Sequence, residues 1–169
     1  MKRNKFQDDK LIEHLISIPN CPDWLCFFVM FSRFEYALKC SGFVIPSSRE
    51  AKTDWRKFGE KIEGKFTAQK CKELSEAIKY LQDDPPRKQV QKEGKLLWTS
   101  AKKENGDIQR LITAVKTVRN NFFHGCKTPY GPELEPSRDN KLIRHSITVL
   151  KYFLYSSEQV KKHYFEPLG

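Results

Sequence analysis

An arginine, two amides and a histidine stand close together near the end of an apolar segment, in the order Val118-Arg119-Asn120-Asn121-Phe122-Phe123-His124-Gly125. The arginine side chain carries a permanent charge on a planar fork that matches phosphate oxygens, and histidine changes its protonation near neutral pH. Arg119 and His124 together could bind a phosphodiester and move its protons. These are the requirements of RNA cleavage without a metal ion.

A second pair of the same residue types, Arg138 and His145, has a similar spacing. Of the two pairs, only the first has an Asn directly after its Arg and a glycine, the residue that most often ends a helix, directly after its His. This context favours the first pair as the site. We expect His145 to have a packing or solvent-exposed role, and Arg138 to face solvent or follow an RNA backbone.

The elements that must position these residues are predicted to be helices. Apolar residues recur at helical spacing along almost the whole chain, and no long segment alternates apolar and polar residues as a strand does. The pattern predicts an all-α protein, a helical bundle of four to six helices that forms one domain over residues 1–169. The predicted helices cover Asp8–Ser17, Pro22–Cys40 with a stop at Gly42, Thr67–Leu81 with Thr67 as N-cap, Asp107–His124 and Ser137–Tyr164.

Two stretches are less regular. Residues 43–66 contain Gly59 and Gly64 and are predicted to form a connector with one short helix, Asp54–Ile62. The basic stretch Arg87–Lys103 is predicted to be a helix whose lysines face solvent or follow an RNA backbone. Pro22–Cys40 is apolar on nearly all sides, which predicts that it is the central helix of the bundle.

The geometry of an ideal helix complicates the proposed pairing. At about 100° per residue, Arg119 falls within the apolar stripe of its helix, and His124 lies roughly 140° around the axis from it. Three alternatives remain: the helix is distorted near Gly125, the cooperating Arg and His come from two subunits, or Arg119 is structural. In the last case Arg119 would form a buried ion pair with Glu35.

The sequence resembles the HEPN superfamily, whose signature is an Arg, a polar residue directly after it, and a His four to six residues beyond the Arg. Arg119, Asn120 and His124 match that pattern. The segment Phe31-Ser32-Arg33-Phe34-Glu35-Tyr36-Ala37-Leu38 is also similar to the first core helix of one HEPN branch. The resemblance covers the two core helices well and the rest of the chain only loosely.

The resemblance implies an endoribonuclease that is a toxin or a phage-defence effector and acts as a homodimer in which the two motifs meet. Arg119 would stabilise the charge on phosphorus, His124 would act as acid or base, and Asn120 would orient one of them. Glu35 and Lys127 would support the site or contact the substrate. The implied partners are RNA and an antitoxin protein, with no cofactor and no metal. Some HEPN proteins are inactive, so the alternative is a module that binds RNA, a nucleotide or a partner protein; a third is a helical interaction domain without nucleic acid.

The charge of the chain fits a polyanionic partner. Of the net charge of +10, residues 85–169 contribute most, with 16 Lys and Arg against 8 Asp and Glu. The five cysteines form no Cys-x-x-Cys pair, which favours free thiols over disulfides or a zinc site. No apolar run is long enough for a bilayer, and no signal-type run follows Met1–Lys10, so we expect a soluble cytoplasmic protein. No phosphate-binding glycine loop is present, which excludes a P-loop enzyme.

Overall fold

The computed structural model describes residues 22–46, 49–67, 71–100, 105–123 and 136–166. Within these ranges the chain forms a bundle of helices with one small antiparallel hairpin, so the predicted helical class is confirmed. The predicted helix Asp8–Ser17 lies outside the described residues. The described helices are α1 (Asp23–Cys40), α2 (Trp55–Thr67), α3 (Lys72–Asp83), α4 (Asp107–Phe123), α5 (Pro136–Tyr155) and α6 (Glu158–Phe165), and the strands are β1 (Lys88–Lys92) and β2 (Lys95–Thr99).

Helix α1 is the central helix, as its apolar sequence predicts. It packs against α5 and α6, and its buried side chains are Phe27, Met30, Phe31, Phe34, Ala37 and Leu38. The predicted stop at Gly42 is also confirmed. Gly42 has φ +80°, and the amide of Phe43 donates to the Leu38 carbonyl at 3.0 Å, so the chain reverses while the last carbonyls of the helix keep a donor.

Helix α2 is longer than the predicted Asp54–Ile62, because it continues through both glycines to Thr67. Thr67 is therefore not the N-cap of the next helix; its Oγ1 donates to the Glu63 carbonyl at 2.9 Å. The N-cap of α3 is Cys71, whose Sγ accepts a hydrogen bond from the Leu74 amide at 3.4 Å. A thiol is not a typical capping group, which is why residue preferences place this helix start wrongly.

The stretch Arg87–Lys103 contains a β-hairpin and is not the predicted helix. Strands β1 and β2 pair through a two-residue turn in which Glu93 has φ +51° and Gly94 has φ +75°. Positive φ at both central residues is the geometry that matches the twist of paired strands. A glycine between two five-residue segments is the sequence signal for this turn, but each strand is too short for its alternation to be recognised.

The predicted last helix, Ser137–Tyr164, is two helices that meet at a bend near Ser156. Ser157 caps α6, because its hydroxyl accepts from the Val160 amide at 3.4 Å. Its side chain offers the backbone an alternative to a continuous helix, and this local preference ends α5.

The free end of α6 is held by Arg33 of α1. The guanidinium donates to the Tyr164 carbonyl at 2.7 Å, to the His163 carbonyl at 3.2 Å and to the Glu166 carbonyl. A helix leaves its last carbonyls without backbone donors and has a partial negative charge at that end, so a cation there is favourable. The contact links residues 131 positions apart in the chain.

The buried apolar side chains of α1 to α6 form one contiguous core. It is rich in aromatic rings, with Phe34 and Phe58 meeting edge to face at 5.5 Å and Phe58 and Phe153 at 6.0 Å. None of the described helices combines the length and the apolar character needed to cross a membrane.

Gly59 gives a test of how tightly α2 packs against α4. A Cβ at this position would lie 2.8 Å from Ile112 Cδ1 and 3.1 Å from Ile108 Cγ2, closer than carbon atoms pack. We expect Gly59→Ala to lower the free energy of unfolding by about 1–3 kcal/mol, the usual effect of overpacking. Chemical denaturation monitored by circular dichroism measures it.

Gly64 in the same helix is the matched control. A Cβ there would meet nothing within 4 Å. Gly64→Ala should therefore stabilise the protein by up to about 1 kcal/mol through helix propensity alone. Equal effects of the two substitutions would show that α2 and α4 are not in close contact at Gly59.

Candidate functional site

Arg119 and Asn120 lie in the last two turns of α4, which ends at Phe123. The Arg119 Nη1 donates to Asn120 Oδ1 at 3.1 Å, and its guanidinium carbon lies 5.6 Å from the centre of the Phe31 ring. A guanidinium over an aromatic ring gains a cation–π interaction. Arg119 is half-buried and Asn120 is exposed, so the structure brings these two site residues together at the surface end of the helix.

His124 and Lys127 lie outside the described residues, which resume at residue 136. The angle between Arg119 and His124 calculated for an ideal helix therefore remains a prediction. The described part of the motif is helical up to Phe123, so no distortion precedes that residue.

Glu35 contacts Trp55 of α2, a partner that the sequence does not predict. Its Oε1 accepts a hydrogen bond from Trp55 Nε1 at 3.1 Å. The Trp55 ring stacks on Phe31 at 5.5 Å, and Phe31 is the ring that carries the Arg119 guanidinium. The Trp55 and Phe31 rings thus lie between Glu35 and Arg119 in a series of contacts that residue types alone do not reveal.

Asn121, the second amide of the motif, is buried, with 7% of its surface exposed. Its Nδ2 donates to the Arg87 carbonyl at 2.8 Å, so it fixes the chain just before β1 to the motif helix. The sequence analysis gives Asn121 no role. The signal that could have indicated a buried polar contact is a second amide directly after Asn120, which lies on another face of the same apolar helix.

The two phenylalanines of the motif differ in their surroundings. Phe122 packs against the hydrophobic core, as its position in the helix predicts. Phe123 instead contacts Phe28 of α1, with ring centres 4.6 Å apart. Phe28 is 41% exposed and Trp24, one turn earlier, is 49% exposed, so aromatic surface lies beside the end of the motif helix.

A cavity of about 560 Å³ lies between α2 and α4. Its wall includes both cations and carboxylates, among them Arg56, Glu60 and Lys116. Trp55 also lines it, and Asn120 follows Lys116 by one turn of α4, so the cavity lies near the Arg119 side of the motif helix. Sequence reasoning did not find this cavity, because it arises where Gly59 brings two helices together.

The second Arg–His pair occupies packing positions. Arg138 donates from Nε and Nη2 to the two carboxylate oxygens of Asp84, both at 2.9 Å, and from Nη2 to the Pro85 carbonyl at 3.1 Å. The His145 ring packs against Tyr80, with centres 4.6 Å apart. The Arg138 guanidinium holds the pKa of Asp84 below its usual range, while burial lowers the pKa of His145 and raises that of Tyr80.

No group of three or more His, Cys, Asp or Glu side chains in the described part of the chain is arranged to hold a metal ion. Cys26, Cys40 and Cys71 are free thiols; Cys21 and Cys126 lie outside the described residues.

Comparisons of the chain with models of known protein families, with curated proteins and with solved structures found no match.

The Asp84–Arg138 pair predicts acid sensitivity. Because the pKa of Asp84 is lower in the folded protein, its charge stabilises the fold above its ordinary pKa, and this stabilisation is lost as pH falls through the lowered value. We expect Asp84→Asn to lower the free energy of unfolding by about 1 kcal/mol at pH 7, with the difference from wild type shrinking as the pH falls below the ordinary pKa of an aspartate. Thermal unfolding across this pH range measures it.

Glu60→Gln is the control, because Glu60 forms an exposed ion pair with Arg56 on one helix. It should change stability by less than about 0.5 kcal/mol at every pH. An Asp84→Asn protein as stable as wild type at pH 7 would contradict the structural role of the pair.

Proposed function

We propose that the chain is an endoribonuclease of the HEPN type that cleaves RNA without a metal ion, with Arg119, Asn120 and His124 as its catalytic residues. The observation that carries the proposal is the pairing of Arg119 with Asn120 at the end of α4. The Asn120 amide oxygen accepts a hydrogen bond from Nη1 of the guanidinium, which limits the directions in which the other N–H donors of Arg119 point.

The reaction needs no group beyond those of the motif and the RNA. The 2′-oxygen loses its proton to a base and bonds to the adjacent phosphorus, the bond from phosphorus to the 5′-oxygen breaks, and that oxygen takes a proton from an acid. The products are a 2′,3′-cyclic phosphate and a 5′-hydroxyl. Arg119 stabilises the charge that develops on the phosphate oxygens, and His124 supplies one of the two proton transfers.

A homodimer would supply the second proton transfer. Two motifs beside one two-fold axis provide two histidines and twice the positive charge for one phosphodiester. The HEPN resemblance is also the basis for proposing a toxin or phage-defence role, held in check by an antitoxin protein.

The proposed chemistry predicts cleavage of single-stranded RNA in the presence of excess EDTA. His124→Ala should lower the rate at least about 100-fold, as expected on losing a general acid or base, and Arg119→Ala should abolish measurable turnover. RNA with a 2′-deoxy sugar at the cleaved position should not be cut. Gel electrophoresis of a labelled RNA measures the cleavage rate of each variant and of the 2′-deoxy substrate. The same gels identify the 2′,3′-cyclic phosphate end of the product.

The double variant Arg138→Ala/His145→Ala is the control. It removes one Arg and one His, the same residue types as in the motif, and we expect it to keep most of the ribonuclease activity. The assay is run at a temperature at which circular dichroism shows this variant to be folded. A fully active His124→Ala protein, or cleavage that EDTA abolishes, would overturn the mechanism. Tight RNA binding without any cleavage would favour the inactive binding module.

Mixed dimers test whether one active centre uses residues from two chains. If it does, Arg119→Ala subunits mixed with His124→Ala subunits keep one intact pairing of an Arg with a His and recover part of the activity that each variant alone lacks. Each variant alone stays inactive, which is the control. A wild-type protein that light scattering shows to be a fully active monomer would exclude the two-chain site.

A further inference from the structure

The β1–β2 hairpin contributes no buried residue to the core. It contacts the bundle through β1, which packs on α4, and Leu96 in β2 remains 67% exposed. In the described part of the chain its sheet has only these two strands. An isolated hairpin is marginally stable in water, so this one depends on its attachment to the bundle while most of its surface stays exposed to solvent.

One face of the hairpin is basic. Residues directly opposite in an antiparallel ladder point to the same side, and the register pairs Lys88 with Thr99, Val90 with Leu97 and Lys92 with Lys95. Lys88, Lys92 and Lys95 therefore share one face. All three are exposed, and none forms an ion pair with a carboxylate that the structure describes.

The spacing of these charges fits an extended polyanion. Lys92 directly opposes Lys95, an arrangement that is unfavourable until an anion lies between the two ammonium groups. Lys88 and Lys92 are four residues apart on one strand, about 13 Å at the rise of a β-strand. A single small anion cannot contact both ends of this face, whereas a chain of phosphates can.

The charges disfavour a second copy of the hairpin as the occupant. Two basic faces brought together would oppose six lysines, and the whole chain carries +10. Lysines on exposed strands are also a device by which proteins avoid edge-to-edge pairing.

The base of the hairpin is fixed to the motif. Asn121 holds the Arg87 carbonyl and Arg138 holds the Pro85 carbonyl, while Pro86 between them is buried. Asn121 follows Arg119 by two residues, about 3 Å along the axis of α4 and on another face of it, so the hairpin is attached to the motif helix at the level of Arg119.

We propose that the hairpin is an RNA-binding arm in which Lys88, Lys92 and Lys95 contact the phosphodiester backbone of the strand that is cleaved. The choice of RNA as the polyanion rests on the proposed function. The arm lengthens the contact with RNA beyond the catalytic residues, and Asn121 positions it relative to Arg119.

Binding is measured by fluorescence anisotropy of the full chain with a short labelled single-stranded RNA whose 2′-oxygens are methylated, so that no cleavage occurs. We expect Lys88→Gln/Lys92→Gln/Lys95→Gln to weaken binding about tenfold or more. The slope of log affinity against log salt should fall by about 2, the value for three lost phosphate contacts on a single strand.

The matched control is Lys57→Gln/Lys61→Gln/Lys65→Gln on α2, which removes the same charge from exposed lysines elsewhere. It should weaken binding less than about threefold. Glu93→Asn removes the one acidic side chain of the turn and suits its positive φ, so it should tighten binding about twofold to fivefold. Circular dichroism verifies that each variant is folded.

Equal losses in the two triple variants would overturn the proposal, because they would show dependence on net charge alone. It would also be overturned if the hairpin variant kept its RNA affinity but changed its self-association in light scattering, which would make the hairpin an interface between copies. Selective loss of binding in a protein that cleaves no RNA would support the arm and refute the endoribonuclease. RNA cleavage together with equal losses of RNA binding in the two triple variants would support the endoribonuclease and refute the RNA-binding arm.

Discussion

The indole ring of Trp55 stacks on Phe31 and Phe34 of α1 and donates to Glu35 of the same helix. This one side chain joins α2 to the central helix by aromatic packing and by a hydrogen bond. An indole ring needs apolar contacts for its faces and a hydrogen-bond acceptor for its N–H. Trp55 has both, because its faces pack in the core and its N–H donates to a carboxylate. The Phe31 ring held in this way is also the surface on which the Arg119 guanidinium rests. The candidate site therefore depends on the packing of two helices that carry none of its catalytic residues.

The parts of the fold that could be predicted are those fixed by long periodic segments. Helix α1 has eighteen residues, most of them apolar, and Gly42 follows two residues after its end, so its position and its stop follow from the sequence. The hairpin and the bend near Ser156 depend instead on short local choices: two residues with positive φ in one case and a serine cap in the other. These local features involve too few residues to outweigh the helical pattern of the sequence around them. The pattern of residues 87–103 therefore predicts a helix where the structure has a hairpin.

The residue types of the candidate site can be read from the sequence, whereas their contacts cannot. Side chains at adjacent helix positions point about 100° apart, so the hydrogen bond between Arg119 and Asn120 is a feature of the structure and not of the motif alone. The partners of Glu35 and Asn121 lie 20 and 34 residues away in the chain, and only the packing of the elements brings them close. Arg138 illustrates the same limit, since its two hydrogen bonds to Asp84 turn an apparent catalytic candidate into a structural link.

The two ends of the bundle are held by arginines whose partners differ in their chemistry. Arg33 binds backbone carbonyls at the end of α6, and neither a guanidinium nor a carbonyl changes its charge in acid. Arg138 binds a carboxylate that can take up a proton, beside the base of the hairpin. Protonation of Asp84 therefore weakens the ionic link between α3 and α5 at acid pH, whereas the contacts of Arg33 with the carbonyls at the end of α6 keep their charges. The hydrogen bonds from Arg138 to the Pro85 carbonyl and from Asn121 to the Arg87 carbonyl do not titrate, so the base of the hairpin stays attached to the bundle in acid.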